Sequence, residues 1–146
     1  MSLHATAIAA MTASGWRAVL LRGPSGSGKS DLALRLLGHG GWRLIGDDQV
    51  QVWCSGGHLY AAPAQRLEGA IEVRGLGLMA TPCLGLARVS LIADCGQTPE
   101  RLPDPRHDTI LGVALPLLAL SALESSAPAK LKWALTGRDV LSRLEP

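Results

Sequence analysis

The run Gly23-Pro24-Ser25-Gly26-Ser27-Gly28-Lys29-Ser30 carries residue types at the spacing of a phosphate-gripping loop, G-x-x-x-x-G-K-[ST]. Each fixed type has its own task on a triphosphate. Gly23, Gly26 and Gly28 admit backbone angles that a side chain would forbid, so successive N–H groups can turn toward phosphate oxygens. Lys29 brings a flexible cation to the outer phosphates, and the Ser30 hydroxyl is of the type that ligates Mg²⁺. A helix starting here adds the positive end of its dipole. A Gly/Ser-rich turn would be the plain alternative, but the flanks argue for a nucleotide site.

Two further groups carry chemistry. Adjacent Asp47 and Asp48 follow at the end of the next expected strand, where one acid can support Mg²⁺ and the other take a proton from an attacking hydroxyl. Their alternative is a solvated Asp-Asp turn. Glu72 and Arg74 stand beside Gly75 and Gly77. Their residue types read first as a surface ion pair next to a turn. Glu72 is also an oxygen donor of the kind Mg²⁺ prefers, and Arg74 could neutralise a phosphoryl group.

These residues need elements to position them. Trp16–Arg22 reads as a short buried strand entering the glycine loop. Leu32/Leu36 and Ala33/Leu37 recur at helical spacing, predicting a helix over 29–37 that Gly38 can stop. Strands are also expected at 4–10, 42–45, 49–53, 58–61 and 88–94, with Gly56-Gly57 turning one pair. The proline-rich stretch 96–108 reads as a long loop of functional size, and Ala127 to Leu144 as an amphipathic helix weakened at Gly137. Strands outnumber helices. The fold class expected is α/β, a P-loop kinase core with additional antiparallel strands, over a single domain spanning 1–146.

Composition narrows the class. With 146 residues, 47% hydrophobic and 18% charged, the chain has enough apolar material for one packed core. That core must be aliphatic, because there is no Phe and only one Tyr. A net charge of +2 gives no basic field for nucleic acid or a membrane surface. Cys54, Cys83 and Cys95 form neither a CxxC pattern nor an even set, so free thiols in a reducing compartment are expected. The apolar stretch from Ile110 to Leu120 is broken by Gly112 and Pro116 and is too short to span a bilayer. No signal peptide is read at the start, so a cytoplasmic protein is expected.

The phosphate loop, the segment Gly46-Asp47-Asp48-Gln49-Val50 and above all Ile71-Glu72-Val73-Arg74-Gly75-Leu76-Gly77-Leu78 resemble the C-terminal catalytic domain of HPr kinase/phosphorylase. The last segment matches that family's signature, E-[IV]-R-G-L-G. The similarity runs from His4 to roughly Leu120, and the family's usual N-terminal domain has no counterpart, which implies a short, single-domain form. The resemblance implies an ATP- and Mg²⁺-dependent enzyme of the HPr kinase and PEP carboxykinase-like fold. By the same resemblance, such an enzyme would phosphorylate a serine on the phosphocarrier HPr and could return that phosphate to inorganic phosphate, giving pyrophosphate. It further implies that Lys29 contacts phosphates and that Ser30 and Glu72 serve Mg²⁺. Asp48 is then the acid that accepts the serine proton, with Asp47 as its partner and His4 tuning the pair. On residue type alone His4 reads as a terminal bystander. Arg101 is the best match to a catalytic arginine, with an ordinary loop charge as its alternative. A hexamer of catalytic domains is implied as well.

One departure stands out. The family's later motif, tied to dephosphorylation, carries an arginine and should fall near Ile110–Leu117, where this chain has none. Reversal would need another cation such as Arg101 or Arg106. Lys130, Lys132 and Trp133 on the last helix could meet a partner, or form a plain solvated face. Two other functions remain open at this point, a small-molecule P-loop kinase and a nucleotide sensor without transfer. A GTPase switch lacks its guanine-reading N-K-x-D segment.

Overall fold

The computed structural model describes residues 1–64 and 68–137. In chain order its elements are β1 (Ser2–Leu3), β2 (Thr6–Thr12), β3 (Gly15–Arg22), α1 (Lys29–Gly38), β4 (Trp42–Gly46), β5 (Val50–Ser55) and β6 (His58–Pro63). They continue with β7 (Ala70–Val73), β8 (Gly77–Ala80), β9 (Ala87–Asp94), β10 (His107–Ile110), β11 (Val113–Ala119) and α2 (Ala127–Thr136). Among the described residues, nine strands form one sheet, seven of them in the order β1-β5-β6-β9-β3-β2-β4. β11 joins it beside the C-terminal end of β9, and β10 pairs outside β11. β7 and β8 make a separate hairpin.

β3, β9 and β11 are parallel neighbours, and β2 lies antiparallel between β3 and β4. β3, β4, β9 and β11 therefore point the same way. The helix-bearing crossover after β3 returns the chain to that direction, as parallel strands require. The antiparallel β1, β5 and β6 form the far edge.

Strand alternation divides the core between the two faces. Ile8, Val19, Leu21, Leu44, Leu91 and Ala93 pack under α1 and α2, while Ala7, Ala9, Ala18, Leu20, Val52, Leu59 and Val89 fill the opposite face. Leu32, Ala33 and Leu36 are the buried side of α1. Trp42 is the single aromatic ring in the buried hydrophobic set of the described residues, so the core is aliphatic as composition requires.

Two irregularities switch side-chain parity. Ala18 pairs Val89 but Val19 pairs Leu91, leaving Ser90 as the extra residue. Ala7 pairs Gly46 but Ile8 pairs Leu44, so Ile45 is the extra residue and turns to the face opposite Leu44. The second irregularity seats Gly46 against Ala7, which brings Asp47 beside Thr6.

Several boundaries differ from expectation. The helix continues through Gly38, and the chain turns at Gly40 with φ 72°. The 96–108 loop gives way at His107 to β10, because the apolar stretch beyond it folds as the hairpin β10–β11. The C-terminal helix is described as far as Thr136, with Gly137 already extended at φ −83° and ψ 170°. The remainder of the expected helix, to Leu144, lies outside the described residues. No helix among them is long and apolar enough to cross a membrane.

Gly46 holds the corner between β4 and the acidic pair. A Cβ there would meet Val50 Cγ1 at 2.7 Å and the Gln49 carbonyl oxygen at 3.0 Å. Gly46→Ala is expected to cost about 1–3 kcal/mol of stability in urea unfolding. An unchanged midpoint would show that the corner can yield.

Candidate active site

The chain leaves β3 through a loop whose glycines adopt angles closed to other residues: φ is 144° at Gly23, 83° at Gly26 and 95° at Gly28. The Ser27 N–H bonds the Pro24 carbonyl at 3.1 Å, and α1 begins at once with Leu32 N–H on the Gly28 carbonyl at 2.9 Å. Ser25, Gly26, Gly28, Lys29 and Ser30 line a cleft of about 580 Å³. Gly23, Pro24 and Ser27 do not line that cleft, and the Ser27 hydroxyl is buried without a partner among the described residues. The Lys29 side chain is buried and folds across its own loop, donating to the carbonyls of Gly23 at 2.6 Å and Pro24 at 3.2 Å.

The acidic pair forms the wall facing this loop. Asp47 is buried, and its Oδ1 accepts two hydroxyl hydrogen bonds, from Ser30 at 2.7 Å and from Thr6 at 3.0 Å. Asp48 takes a different orientation. The Gln49 N–H bonds back to the Asp47 carbonyl at 2.8 Å, closing a three-residue turn with Asp48 at φ 65°. A non-glycine residue in that region carries about 1–3 kcal/mol of strain, a condition that clusters at functional sites. The turn directs the two carboxylates apart. Asp48 remains 71% exposed and meets His4 Nε2 at 2.6 Å, so the terminal histidine is drawn into the site.

The β7–β8 hairpin supplies a further wall through Glu72, Val73 and Arg74. Its tip turns where the Leu76 N–H meets the Val73 carbonyl at 2.9 Å, and Gly75 and Gly77 take φ of 85° and 111°. Glu72 and Arg74 make no ion pair among the described residues. The surface-pair reading therefore fails, because both side chains line the cleft as exposed groups. Arg101 is not brought to the cleft: it lies exposed on the loop after β9. Arg106 is engaged with Gln97 at 3.1 Å. Arg22, directly before the loop, pairs with Asp108 at 2.6 Å and, with the Thr109 N–H, holds that carboxyl below its ordinary range.

Ser30 Oγ and Asp47 Oδ1 are hard oxygen donors of the type Mg²⁺ takes, and Glu72 lines the same cleft. No group of three or more His, Cys, Asp or Glu among the described residues could hold a metal unaided. That sparse set fits an ion shared between few protein oxygens, phosphates and water. Cys95 is no ligand here. Burial pushes its thiol up to about 11, against the pull of Lys29 and with Asp94 adding to the rise.

Residues 4–90 match the family described as HPr serine kinase C-terminal domain. The chain belongs to that family. The HPr kinase/phosphorylase of Streptococcus thermophilus is 39% identical over 80 residues, covering 54% of this chain and 25% of that protein. The HPr kinase/phosphorylase of Clostridium tetani is 40% identical over 79 residues, covering 53% of this chain and 26% of its own length. The matched region thus amounts to about a quarter of these curated relatives. The HPr(Ser) kinase/phosphatase from Coxiella burnetii shares the fold, with a TM-score of 0.75 over 99% of this chain and 97% of that one, at 22% identity. The family match ends at Leu91's neighbour, residue 90, so it takes in the loop, the acidic pair and the hairpin but not Arg101.

Sequence reasoning missed Thr6, which holds both acids: its hydroxyl donates to Asp47 Oδ1 and accepts the Asp48 N–H at 3.3 Å. It is fully buried. The available signal was a single polar residue within the apolar run Ala5–Ala10. Thr6→Val preserves the shape but removes both hydrogen bonds, and is expected to lower stability by about 1–3 kcal/mol. Thr6→Ser should restore most of that. Equal stability of all three proteins in urea would assign the hydroxyl no structural role.

Proposed function

We propose that this HPr kinase family member transfers the terminal phosphoryl group of ATP, with Mg²⁺, to a serine of HPr or a related phosphocarrier. The observation that carries this reading is Asp48, held on His4 at 2.6 Å and aimed away from Asp47 at the mouth of the phosphate-loop cleft. Family membership and the names of the relatives support the acceptor.

In this reading the loop N–H groups and Lys29 bind the phosphates, and Lys29 exchanges its own-loop carbonyls for phosphate oxygens. Ser30 and Asp47, with Glu72 across the cleft, would hold Mg²⁺, which supplies charge neutralisation on the phosphates when bound. Asp48 takes the proton from the acceptor serine as its oxygen bonds the γ-phosphorus and the bond to the β-bridging oxygen breaks. His4 orients Asp48, and Arg74 neutralises charge on the transferred group. In reverse, the same Asp48 proton returns to the serine oxygen while inorganic phosphate takes the phosphoryl group as pyrophosphate. The 110–117 segment supplies no arginine, so reversal would call on another cation such as Arg101 or Arg106.

Incubation of the chain with ATP, Mg²⁺ and an HPr-like carrier is expected to add a phosphate to the carrier by intact mass. Asp48→Asn should slow that transfer by about 10²–10⁴-fold without loss of ATP affinity. Transfer at the unsubstituted rate by Asp48→Asn would remove its role as base. Turnover of small metabolites with no carrier present would instead favour a small-molecule kinase.

A further inference from the structure

The start of α1 is held from two sides. Ser30 lies in the first turn of α1, and Gly28 is the left-handed residue just before it, at φ 95°. Ser30 faces Asp47 at 2.7 Å. On the Gly28 side lies the turn Ser121–Glu124, closed by the Glu124 N–H on the Ser121 carbonyl at 3.1 Å. A Cβ at Gly28 would meet Leu123 Cδ2 at 2.8 Å and Ala122 Cβ at 3.3 Å, so glycine is needed there for close approach as well as for its angle.

Arg35 fastens this turn. It lies two turns along α1 from the helix start. Its guanidinium donates to the Glu124 carbonyl at 3.0 Å, to the Ala122 carbonyl and to Asp31 Oδ2 at 3.0 Å. Lys130 ties the Glu124 carboxylate at 2.8 Å. The backbone is thus gripped on both sides of Leu123, yet the Leu123 side chain is 69% exposed and lines the cleft. Bound phosphates alone give an exposed leucine nothing to cover, since they have no apolar face.

We infer that Leu123 is the apolar contact for the nucleoside end of the ligand whose phosphates lie on the loop, and that Arg35 is the positioning residue that sets it. The inference rests on the nucleotide reading above. With the reacting phosphate at Asp47 and Asp48, the other end of a nucleotide lying along the loop would reach the Gly28 end of the same cleft, which Leu123 lines. A base or sugar ring has the apolar surface that a leucine methyl can cover. The ligand class selected is a nucleoside triphosphate over an inorganic polyphosphate.

The test is calorimetric titration of the full chain, in Mg²⁺, with ATP and separately with inorganic tripolyphosphate. Leu123→Ala should weaken ATP binding by about tenfold and leave tripolyphosphate binding within about twofold. Leu123→Met should restore ATP binding, and Arg35→Ala should reproduce the ATP-selective loss. Because Leu123 is exposed, its truncation spares the core. Equal weakening of both ligands, or of neither, would overturn the inference while the nucleotide reading stands. Failure of the unsubstituted chain to bind either ligand would overturn both.

Discussion

The hydrogen bond from Ser30 to Asp47 joins the two halves of the site, and much of the fold exists to make it possible. Ser30 opens α1, whose position follows from the loop angles at Gly23, Gly26 and Gly28. Asp47 directly follows β4, and β4 reaches that point because β2 separates it from β3 and because Ile45 bulges out of the pairing. The resulting 2.7 Å contact joins a helix start to a strand end. A buried carboxylate needs such partners, since ionised groups removed from water are costly unless hydrogen-bonded. Thr6 supplies the second one.

From that constraint the two aspartates acquire different environments. Asp47 is enclosed and occupied by two hydroxyls, while the left-handed turn at Asp48 carries its carboxylate outward to His4. Adjacent acids of identical chemistry are thereby separated by backbone geometry alone. In the proposed reaction this separation lets one carboxylate serve the metal and the other the proton. The same cleft receives Glu72 and Arg74 from a hairpin outside the main sheet, tied to it where the segment after β8 bonds Leu44 of β4.

Much of this was legible in the sequence where local rules dominate. The strand–loop–helix order around Gly23–Ser30 followed from glycine spacing and helical periodicity, and the Asp47-Asp48 pair was placed correctly at a strand end. His4 was legible only through family resemblance, because its partner lies 44 residues away. Thr6, Arg35 and Leu123 were not legible: each acts through contacts set by sheet order and helix packing, and none has a distinctive local spacing. The hairpin β10–β11 was hidden by an apolar run containing Gly112 and Pro116, which tertiary pairing with β9 organises. Arg101 was matched by motif likeness in a loop whose path no local rule specifies.

The central claim is that the glycine loop and the acidic pair form one phosphoryl-transfer site. A crystal structure of the chain with Mg²⁺ and a non-hydrolysable ATP analogue tests it most directly. Expected are phosphates on the loop N–H groups, Mg²⁺ near Ser30 and Asp47, and the terminal phosphate facing Asp48. An analogue bound elsewhere, or bound with Asp48 turned away from its terminal phosphate, would contradict the claim.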